Sequence, residues 1–367
     1  MKKVLTIIVT LAILMNIFSV PVMASTTDQV QVKRLSGNDR YETAIKIANE
    51  LAGVSGINLS QGDKLQAVIL ASGNNWPDAI TGAPLAREYN APILLLNTTV
   101  KSSNQTFDYM QKHVSKDAKV IILGGTGVVP IEFTEHLEKL GYNAIEQIGG
   151  SDRYETSLMI AKKLTNTTKY AYLVSGDNFY DALNASSDAS NEKSPILLVS
   201  SKQGLNQQQE EYLKTFKMTE IMVPVITVGE IKDATKSFYE KAGVKQNLYA
   251  GDNRYATNMT FERYHGRDSR LFVTTGENYP DALTGAVLVG TLGGFLILTE
   301  PNGLPQETEL GLSELAYFHH NPERWPDESQ RFYAYLYVLG GEGAVTSGVE
   351  SQIVNILNSD GQINPNK

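Results

Sequence analysis

Short apolar runs without polar alternation recur along the chain, and a stretch of helical character follows most of them. They cover residues 67–71, 91–96, 120–123, 171–174, 194–199, 225–228, 271–274, 294–298 and 337–339. Strands that are buried on both faces of a parallel sheet require such runs, because helices cover both sides. Strands that alternate with helices therefore predict an α/β fold with doubly wound parallel sheets.

Two polar motifs repeat three times in register with these runs. Gly-x-[Asp/Asn]-Arg-Tyr-x-Thr begins at Gly37, Gly150 and Gly251, and Gly-x-Asn-x-x-Asp-Ala begins at Gly73, Gly176 and Gly276. The copies of the second motif are 103 and 100 residues apart, a spacing that suits a small α/β module. We therefore predict three tandem modules at residues 30–141, 142–243 and 244–358.

The boundaries between the modules leave one question open. The strand-like segments 144–148 and 247–249 can end one module's sheet or begin the next, so the modules can interlock. No linker rich in Gly, Ser or Pro separates the modules, which favours a compact trio. The third module also has an insertion at about 317–332, with His319 and His320. We interpret it as a surface loop without a metal, because adjacent side chains point apart.

The chain begins with the pattern of a secretory signal peptide. Lys2 and Lys3 precede an apolar run at 4–20, and Val22 and Ala24 supply the small residues of a processing site. We predict that residues 1–24 are removed; the alternative is that the run stays as a membrane anchor. No other segment is long and apolar enough to span a membrane, so we expect no membrane contact after cleavage.

Charge and composition narrow the classes of partner. Loss of Lys2 and Lys3 takes the formal net charge from −8 to −10, which disfavours nucleic acid. The sequence contains no cysteine, which excludes disulfides and thiolate metal sites. Such a chain suits a Gram-positive surface.

Catalytic patterns are missing from the repeats. The five histidines do not recur between modules, and no serine lies in a Gly-x-Ser-x-Gly elbow. Carboxylate pairs recur only at the helix caps. The turn at 124–127 resembles a nucleotide-binding loop only loosely, because it lacks the full glycine fingerprint. We therefore predict no enzymatic activity and no cofactor.

The repeated polar turns follow the carboxyl ends of predicted strands, where open α/β sheets bind ligands beside helix N-termini. The candidate ligand-binding residues are the Arg and Tyr of the first motif and the Asn and Asp of the second: Arg40, Tyr41, Asn75, Asp78, Arg153, Tyr154, Asn178, Asp181, Arg254, Tyr255, Asn278 and Asp281. Arginine supplies charge, and tyrosine a stacking face.

A structural interpretation of the same residues stays open. Asp39 can cap a helix while Glu42 reaches back to the cap amide, which is the pattern of a capping box. Asp78 lies near a helix start, with Pro77 at the first position. On this interpretation the repeated residues fix turns, caps and module contacts.

Together the motifs resemble the type 2 cell-wall-binding repeat family of Gram-positive surface proteins, over about residues 30–357. The resemblance implies three Rossmann-like domains in a compact pseudo-threefold trimer. It also implies noncovalent anchoring to an anionic, teichoic-acid-like polymer of the cell wall, with surface-layer proteins as candidate partners. The repeats differ: the second has Tyr180 in place of Pro and lacks the double Gly, and the third has Ala256 in place of the capping Glu.

We therefore expect a secreted, wall-associated binding protein. Because the chain is acidic, polymer contact must be local, through Arg40, Arg153, Arg254 and turn amides, or must be bridged by cations. The main alternative is an exported peptidoglycan hydrolase or amidase modulator. A soluble sugar-binding protein would instead have one cleft rather than three repeated edges.

Overall fold

The computed structural model describes residues 30–165, 170–219, 222–265, 270–320 and 335–359. The predicted signal peptide lies outside these ranges, as does most of the predicted insertion at 317–332. Across the ranges described, every helix is too short or too polar to cross a membrane.

Twelve strands and thirteen α-helices make up the regular structure of these ranges, together with short 3-10 helices at Leu59–Gln61 and Lys101–Ser103. The strands are β1 Gln31–Leu35, β2 Leu65–Ser72, β3 Ile93–Leu96, β4 Val114–Leu123, β5 Ile145–Ile148, β6 Ala171–Ser175, β7 Ile196–Val199, β8 Val225–Val228, β9 Leu248–Tyr249, β10 Arg270–Thr275, β11 Phe295–Thr299 and β12 Tyr335–Leu339. The helices are α1 Arg40–Val54, α2 Trp76–Thr81, α3 Ala83–Glu88, α4 Asn104–His113, α5 Ile131–Lys139, α6 Arg153–Ala161, α7 Tyr180–Asn191, α8 Gln207–Leu213, α9 Lys232–Ala242, α10 Arg254–His265, α11 Pro280–Leu292, α12 Gln306–His320 and α13 Ser347–Asn358.

The strands form three parallel four-stranded sheets, in the orders β3-β2-β4-β5, β7-β6-β8-β9 and β11-β10-β12-β1. Their middle strands are apolar and buried, as the unalternated runs predicted: Val68, Leu70 and Ile122 are fully inaccessible. Each sheet with its helices is a Rossmann-like module. The predicted α/β fold with three parallel-sheet modules is confirmed.

Each sheet takes its fourth strand from the segment that leads into the next module. β5 pairs with β4 and β9 with β8, so both strands end the sheet that precedes them. β1, placed by the sequence at the start of the first module, pairs with β12, with Leu35 opposite Leu339. The helices that follow these strands, α1, α6 and α10, pack near β3, β7 and β11 of the next sheet. The chain therefore closes into a ring of interlocked modules.

The helices that follow the second motif pack against one another where the modules meet. α3, α7 and α11 share one apolar core, and polar bonds link them. Arg87 Nε donates to the carbonyl of Gly290 at 3.2 Å, and Ser190 Oγ donates to the carbonyl of Ala83 at 3.4 Å. This packing fixes the three sheet edges relative to one another.

Candidate functional site

The glycine and threonine of the first motif fold the turn that leads into α1, α6 and α10. The glycine amide donates to the threonine hydroxyl at 3.0 Å in all three copies, Gly37 to Thr43, Gly150 to Thr156 and Gly251 to Thr257. A Cβ on these glycines would lie 2.3, 2.5 and 2.5 Å from the side chains of Glu42, Glu155 and Ala256. The close approach explains why the motif begins with glycine, and the hydrogen bond explains why it ends with threonine. The sequence analysis did not assign these roles.

The first helix is capped by Asp39, as the sequence predicts, but Glu42 binds a different amide from the one expected. Asp39 Oδ1 accepts from the amide of Glu42 at 2.8 Å, as expected of a cap. The Glu42 carboxylate was expected to bind the cap amide, but it accepts from the amide of Asn38 at 2.9 Å. The side chain of Asn38 donates to the same oxygen at 2.7 Å. Asn38 therefore offers two donors to one oxygen, where the cap residue would offer one.

The arginine of the first motif binds the first glycine of the second motif in the same repeat. Nη1 of Arg40, Arg153 and Arg254 donates to the carbonyls of Gly73, Gly176 and Gly276 at 2.6, 2.5 and 2.9 Å. The tyrosine rings lie against the same glycines: a Cβ there would be 2.8, 2.4 and 2.9 Å from Tyr41, Tyr154 and Tyr255. The two motifs are therefore one structural unit, and the tyrosines support the loop from behind.

Each arginine also reaches an aromatic ring of another module. The guanidinium Cζ lies above a ring centroid in three pairs, Arg40 and Tyr279 at 6.0 Å, Arg153 and Trp76 at 5.6 Å, and Arg254 and Tyr180 at 3.5 Å. Phe179 lies between Trp76 and Tyr279, with ring centroids 6.5 and 5.6 Å apart. The arginines thus surround an aromatic cluster where the modules meet.

Because the modules interlock, the aspartate loop of one repeat lies near the arginine of another repeat; in the second cleft the contact is between Arg254 and the ring of Tyr180, next to Asp181 in sequence. We define the first cleft by Asp78 and Arg153, the second by Asp181 and Arg254, and the third by Asp281 and Arg40. The positive charge of Arg153 acts on Asp78, and that of Arg40 acts on Asp281.

The three aspartates share an environment against a glycine turn. Burial raises the pKa of Asp78, Asp181 and Asp281 to about 6. A Cβ on Gly124 would lie 2.8 Å from Asp78 Oδ2, and one on Gly340 would lie 2.4 Å from Asp281 Oδ2. Both glycines have a φ above +100°, which other residues rarely adopt. The turns that follow β4 and β12 are thus shaped around the carboxylates of Asp78 and Asp281.

The first cleft encloses about 670 Å³ between residues 125–128 on one wall and 149–153 on the other. Asp78 lines it with 5% of its surface exposed, and its carboxylate accepts no hydrogen bond from the described part of the chain. The amides of Thr126 and Gly127 also have no acceptor within these ranges. The Arg153 side chain is exposed at the rim. The cleft therefore combines one deep acceptor with several donors.

The other two clefts differ at the same turn. In the second cleft Glu230 follows Gly229, and its amide donates to Asp181 Oδ2 at 3.3 Å. Arg254 there forms an ion pair with Glu277 at 3.2 Å. In the third cleft Glu342 stands where the first has Thr126, and its carboxylate accepts from the amide of Ser347 at 2.8 Å. Both turns therefore carry a carboxylate that the turn at 124–127 of the first cleft lacks.

The asparagines of the second motif have separate roles. Asn178 Oδ1 accepts from the amide of Tyr180 at 3.1 Å, and Asn278 Oδ1 accepts from that of Tyr279 at 3.0 Å. Asn75 makes no such cap bond, and it lines the first cleft. The structure thus brings Asn75, Asp78 and Arg153 together among the predicted residues.

Two bracing side chains were missed by the sequence analysis. Gln147 on β5 donates from Nε2 to the carbonyls of Gly124 and Val129, both at 2.9 Å. Arg34 on β1 binds the carbonyls of Gly340 and Val345 in the same way, at 3.0 and 2.8 Å. These residues do not belong to a repeated motif, so only the strand pairing reveals what they do.

Comparison with known families and structures gives matches along most of the chain. Residues 34–133, 147–237 and 249–350 match the family described as cell wall binding domain 2. Cwp8 from Clostridium difficile has a similar structure, with a TM-score of 0.73, 26% identity, and coverage of 90% of this chain and 52% of that chain. Cwp6 from the same organism shares the fold, with a TM-score of 0.74, 24% identity, and coverage of 90% and 48%.

Two curated proteins of Bacillus subtilis (strain 168) are also similar. N-acetylmuramoyl-L-alanine amidase LytC is 30% identical over 275 residues, which are 74% of this chain and 51% of that protein. A protein named amidase enhancer is 26% identical over 282 residues, 76% of this chain and 36% of that protein. The chain therefore spans about half of the first relative and less of the second.

Proposed function

Because this chain belongs to the cell wall binding domain 2 family, we propose that it is an exported protein held noncovalently at a Gram-positive cell wall. In this proposal residues 1–24 are a signal peptide, and the folded modules bind an anionic secondary wall polymer of teichoic-acid-like chemistry. The chain acts by binding and not by catalysis. Surface-layer proteins are candidate neighbours at the wall.

The convergence of the repeated motifs on clefts between the modules carries this proposal. In the first cleft Arg153 and the amides of Thr126 and Gly127 supply donors at a sheet's carboxyl edge. Guanidinium groups bind phosphate and carboxylate in a bidentate manner, which suits an anionic polymer. Without Lys2 and Lys3 the formal net charge of −10 makes general attraction to a polyanion unfavourable, so such local donors have to provide the contact.

Sedimentation with purified walls tests the proposal. Protein from Ser25 onward is mixed with Gram-positive walls before and after their secondary polymers are extracted. We expect it to sediment with intact walls, to be released by added salt through charge screening, and to stay in solution with extracted walls. Protein that stays in solution with polymer-bearing walls would refute the proposal, and equal sedimentation with extracted walls would move the binding to peptidoglycan.

A second candidate function is modulation of a peptidoglycan amidase, because the curated relatives are named as an amidase and an amidase enhancer. The match covers only 51% of the amidase, so that activity is not assigned to this chain. The test is the rate at which a wall amidase solubilises walls with and without the protein. A faster rate would support modulation, and an unchanged rate alongside wall binding would leave anchoring as the function.

A further inference from the structure

We infer that the three clefts are unequal and that the first cleft is the main ligand site, taking a unit in which hydroxyl groups adjoin an acidic group. A sugar acid and a polyol phosphate both have this chemistry. The inference rests on the proposed function and names the place and the chemistry of the binding within it.

The buried carboxylate of Asp78 in the first cleft can accept a hydrogen bond from a ligand. Asp78 is 5% exposed and lines the cavity, yet its carboxylate accepts no hydrogen bond from the described residues. In the unliganded cleft water can hydrate this carboxylate. A ligand that displaces the water must supply a hydrogen-bond donor in its place, because a carboxylate left without a donor costs free energy. The floor of the cleft therefore favours a hydroxyl-bearing ligand.

The walls of the first cleft supply hydrogen-bond donors, which suit an anionic group of the ligand. The amides of Thr126 and Gly127 are open, and the nine-residue helix α6 begins at Arg153 on the facing wall. Consecutive turn amides attract anions, whereas the N-terminus of α6 is already capped by Asp152, which accepts from the amide of Glu155 at 2.8 Å. Arg153 uses one nitrogen for Gly176, which leaves further donors at the exposed end of its guanidinium.

The two requirements together define the ligand class. A neutral sugar can satisfy Asp78, but it offers no anionic acceptor to the outer guanidinium donors of Arg153. A bare anion meets the donors, but it faces the carboxylate of Asp78. Hydroxyls beside an acidic group satisfy both at once. The cavity of about 670 Å³ lies in the range of ligand pockets and has room for such a unit.

The second cleft satisfies its own groups. Asp181 already accepts from the amide of Glu230 at 3.3 Å. Arg254 lies 3.5 Å from the ring centroid of Tyr180 and pairs with Glu277 at 3.2 Å. The Glu230 carboxylate adds negative charge beside Asp181. A ligand anion would have to displace these contacts, so binding there is disfavoured.

The third cleft is intermediate. It keeps the double glycine at Gly340 and Gly341, but it has Glu342 where the first cleft has Thr126. The Glu342 carboxylate is tied to Ser347, at 2.8 Å from its amide, and so remains at the turn. Its charge opposes an anion, which leaves the first cleft with the most favourable turn.

Two glycines permit a matched charge test. Gly127 in the first cleft and Gly343 in the third hold equivalent positions, and an added Cβ would meet no atom within 4 Å at either. Gly127→Asp should weaken the affinity for purified walls at least tenfold, because it puts a carboxylate where the ligand acid would lie. Gly343→Asp should change it less than threefold. Gly53→Asp, on α1 and equally open, is the remote control.

A second pair of variants tests the acceptor. Asp78→Asn keeps the size of the side chain and should weaken wall binding about tenfold. Asp181→Asn in the second cleft should change it less than twofold. Competition against walls then distinguishes the ligand sources: glucuronate competes for a sugar-acid site and glycerol 3-phosphate for a polyol-phosphate site. Glucose and inorganic phosphate, each at the same concentration as these two competitors, should not displace the protein from walls.

The outcomes separate this inference from the proposed function. Wild-type protein that does not bind walls refutes the proposed function itself. Wild-type protein that binds walls while Gly127→Asp and Asp78→Asn bind equally well refutes the first cleft as the site. Losses of equal size in Gly343→Asp and Asp181→Asn refute the inequality of the clefts. Each variant's thermal unfolding is measured alongside, so that a folding defect is not counted as a binding loss.

Discussion

The first and second clefts are built from the same two motifs, yet the aspartate of the first lacks a hydrogen-bond donor among the described residues and that of the second has one. In the first, Asp78 has no hydrogen-bond donor among the described residues, and Arg153 lies 5.6 Å from the ring centroid of Trp76. In the second, Glu230 donates to Asp181, and Arg254 lies 3.5 Å from the ring centroid of Tyr180. The motif residues are alike, so the difference comes from their neighbours.

The motif residues have a role in folding that is distinct from the access of a ligand to each cleft. The motif arginine and tyrosine hold the loop glycine in all three repeats, which is a folding role. In our proposal, availability to a ligand depends on positions that vary: Pro77 against Tyr180, and Gly125 against Glu230. A repeat would then keep its fold while it loses its site.

The largest expected effect is on stability, from Gly149→Ala in the first cleft. A Cβ there would lie 2.0 Å from the amide nitrogen of Gly125, so the two loops would have to separate. We expect a loss of about 1–3 kcal/mol in the free energy of unfolding, measured by urea denaturation. The second cleft has Ala250 at this position, and Ala250→Gly should cost less than about 1 kcal/mol. Equal costs for both variants would contradict the closer loop contact in the first cleft.

Next in size is a pH effect on the buried aspartates. Burial raises the pKa of Asp181 from 3.8 to about 6, so the folded state holds its proton more tightly than the unfolded chain does. The contribution of Asp181 to stability is then fully present below about pH 4 and is lost as the pH rises through about 6. Asp181→Asn should remove this loss and be more stable than wild type at pH 7.5 by roughly 1–2 kcal/mol, with no difference at pH 4.

The same substitution in the first cleft sharpens the comparison. The pKa of Asp78 is also raised to about 6 by burial, but the attraction of Arg153 opposes the shift. Asp78→Asn loses that attraction, so its gain at pH 7.5 should be the smaller one. Thermal unfolding of both variants between pH 4 and 8 measures this. A less stable Asp181→Asn at pH 7.5 would show that the carboxylate itself is needed for folding.

Lysine substitutions of Arg254 and Arg153 should have smaller effects, the first mainly on stability and the second mainly on wall binding. Arg254→Lys loses a close ring contact and a planar group, so we expect a stability loss of about 1 kcal/mol with little change in wall binding. Arg153→Lys, at 5.6 Å from its ring, should cost less stability but weaken wall binding. Unfolding midpoints and wall sedimentation measure the two. If Arg153→Lys loses stability before it loses binding, its role is structural.

The smallest expected effect is a gain of binding. The double variant Tyr180→Pro with Glu230→Gly gives the second cleft the proline and the glycine that the first cleft has at these two positions, and proline is tolerated at the first position of α7. Apparent affinity for a monovalent fragment of the wall polymer should rise about twofold, the statistical factor for two equal sites that do not gain from avidity. Tyr180→Phe keeps the ring over Arg254 and is the matched control. A double variant that is folded but binds no better would show that other residues close the second cleft.

The sequence predicted the three modules and the edges where the motifs lie because both depend on local patterns. Apolar runs identify strands, but the runs at β1, β5 and β9 do not reveal which sheet each strand joins. The pairing of Asp78 with Arg153 depends on that choice. Gln147 escaped notice for the same reason, since its bonds to Gly124 and Val129 exist only because β5 joins the first sheet.

The central claim, that the first of three similar clefts binds the wall ligand, is tested most directly by the backbone amide NMR signals of the turns. Solubilised wall polymer is added to labelled protein, and the shifts of Thr126 and Gly127 are compared with those of Glu230 and Glu342. We predict saturating shifts at Thr126, Gly127 and the first turn of α6, and much smaller ones at Glu230 and Glu342. Shifts of equal size in all three turns, or shifts that spare the first turn, would contradict the claim.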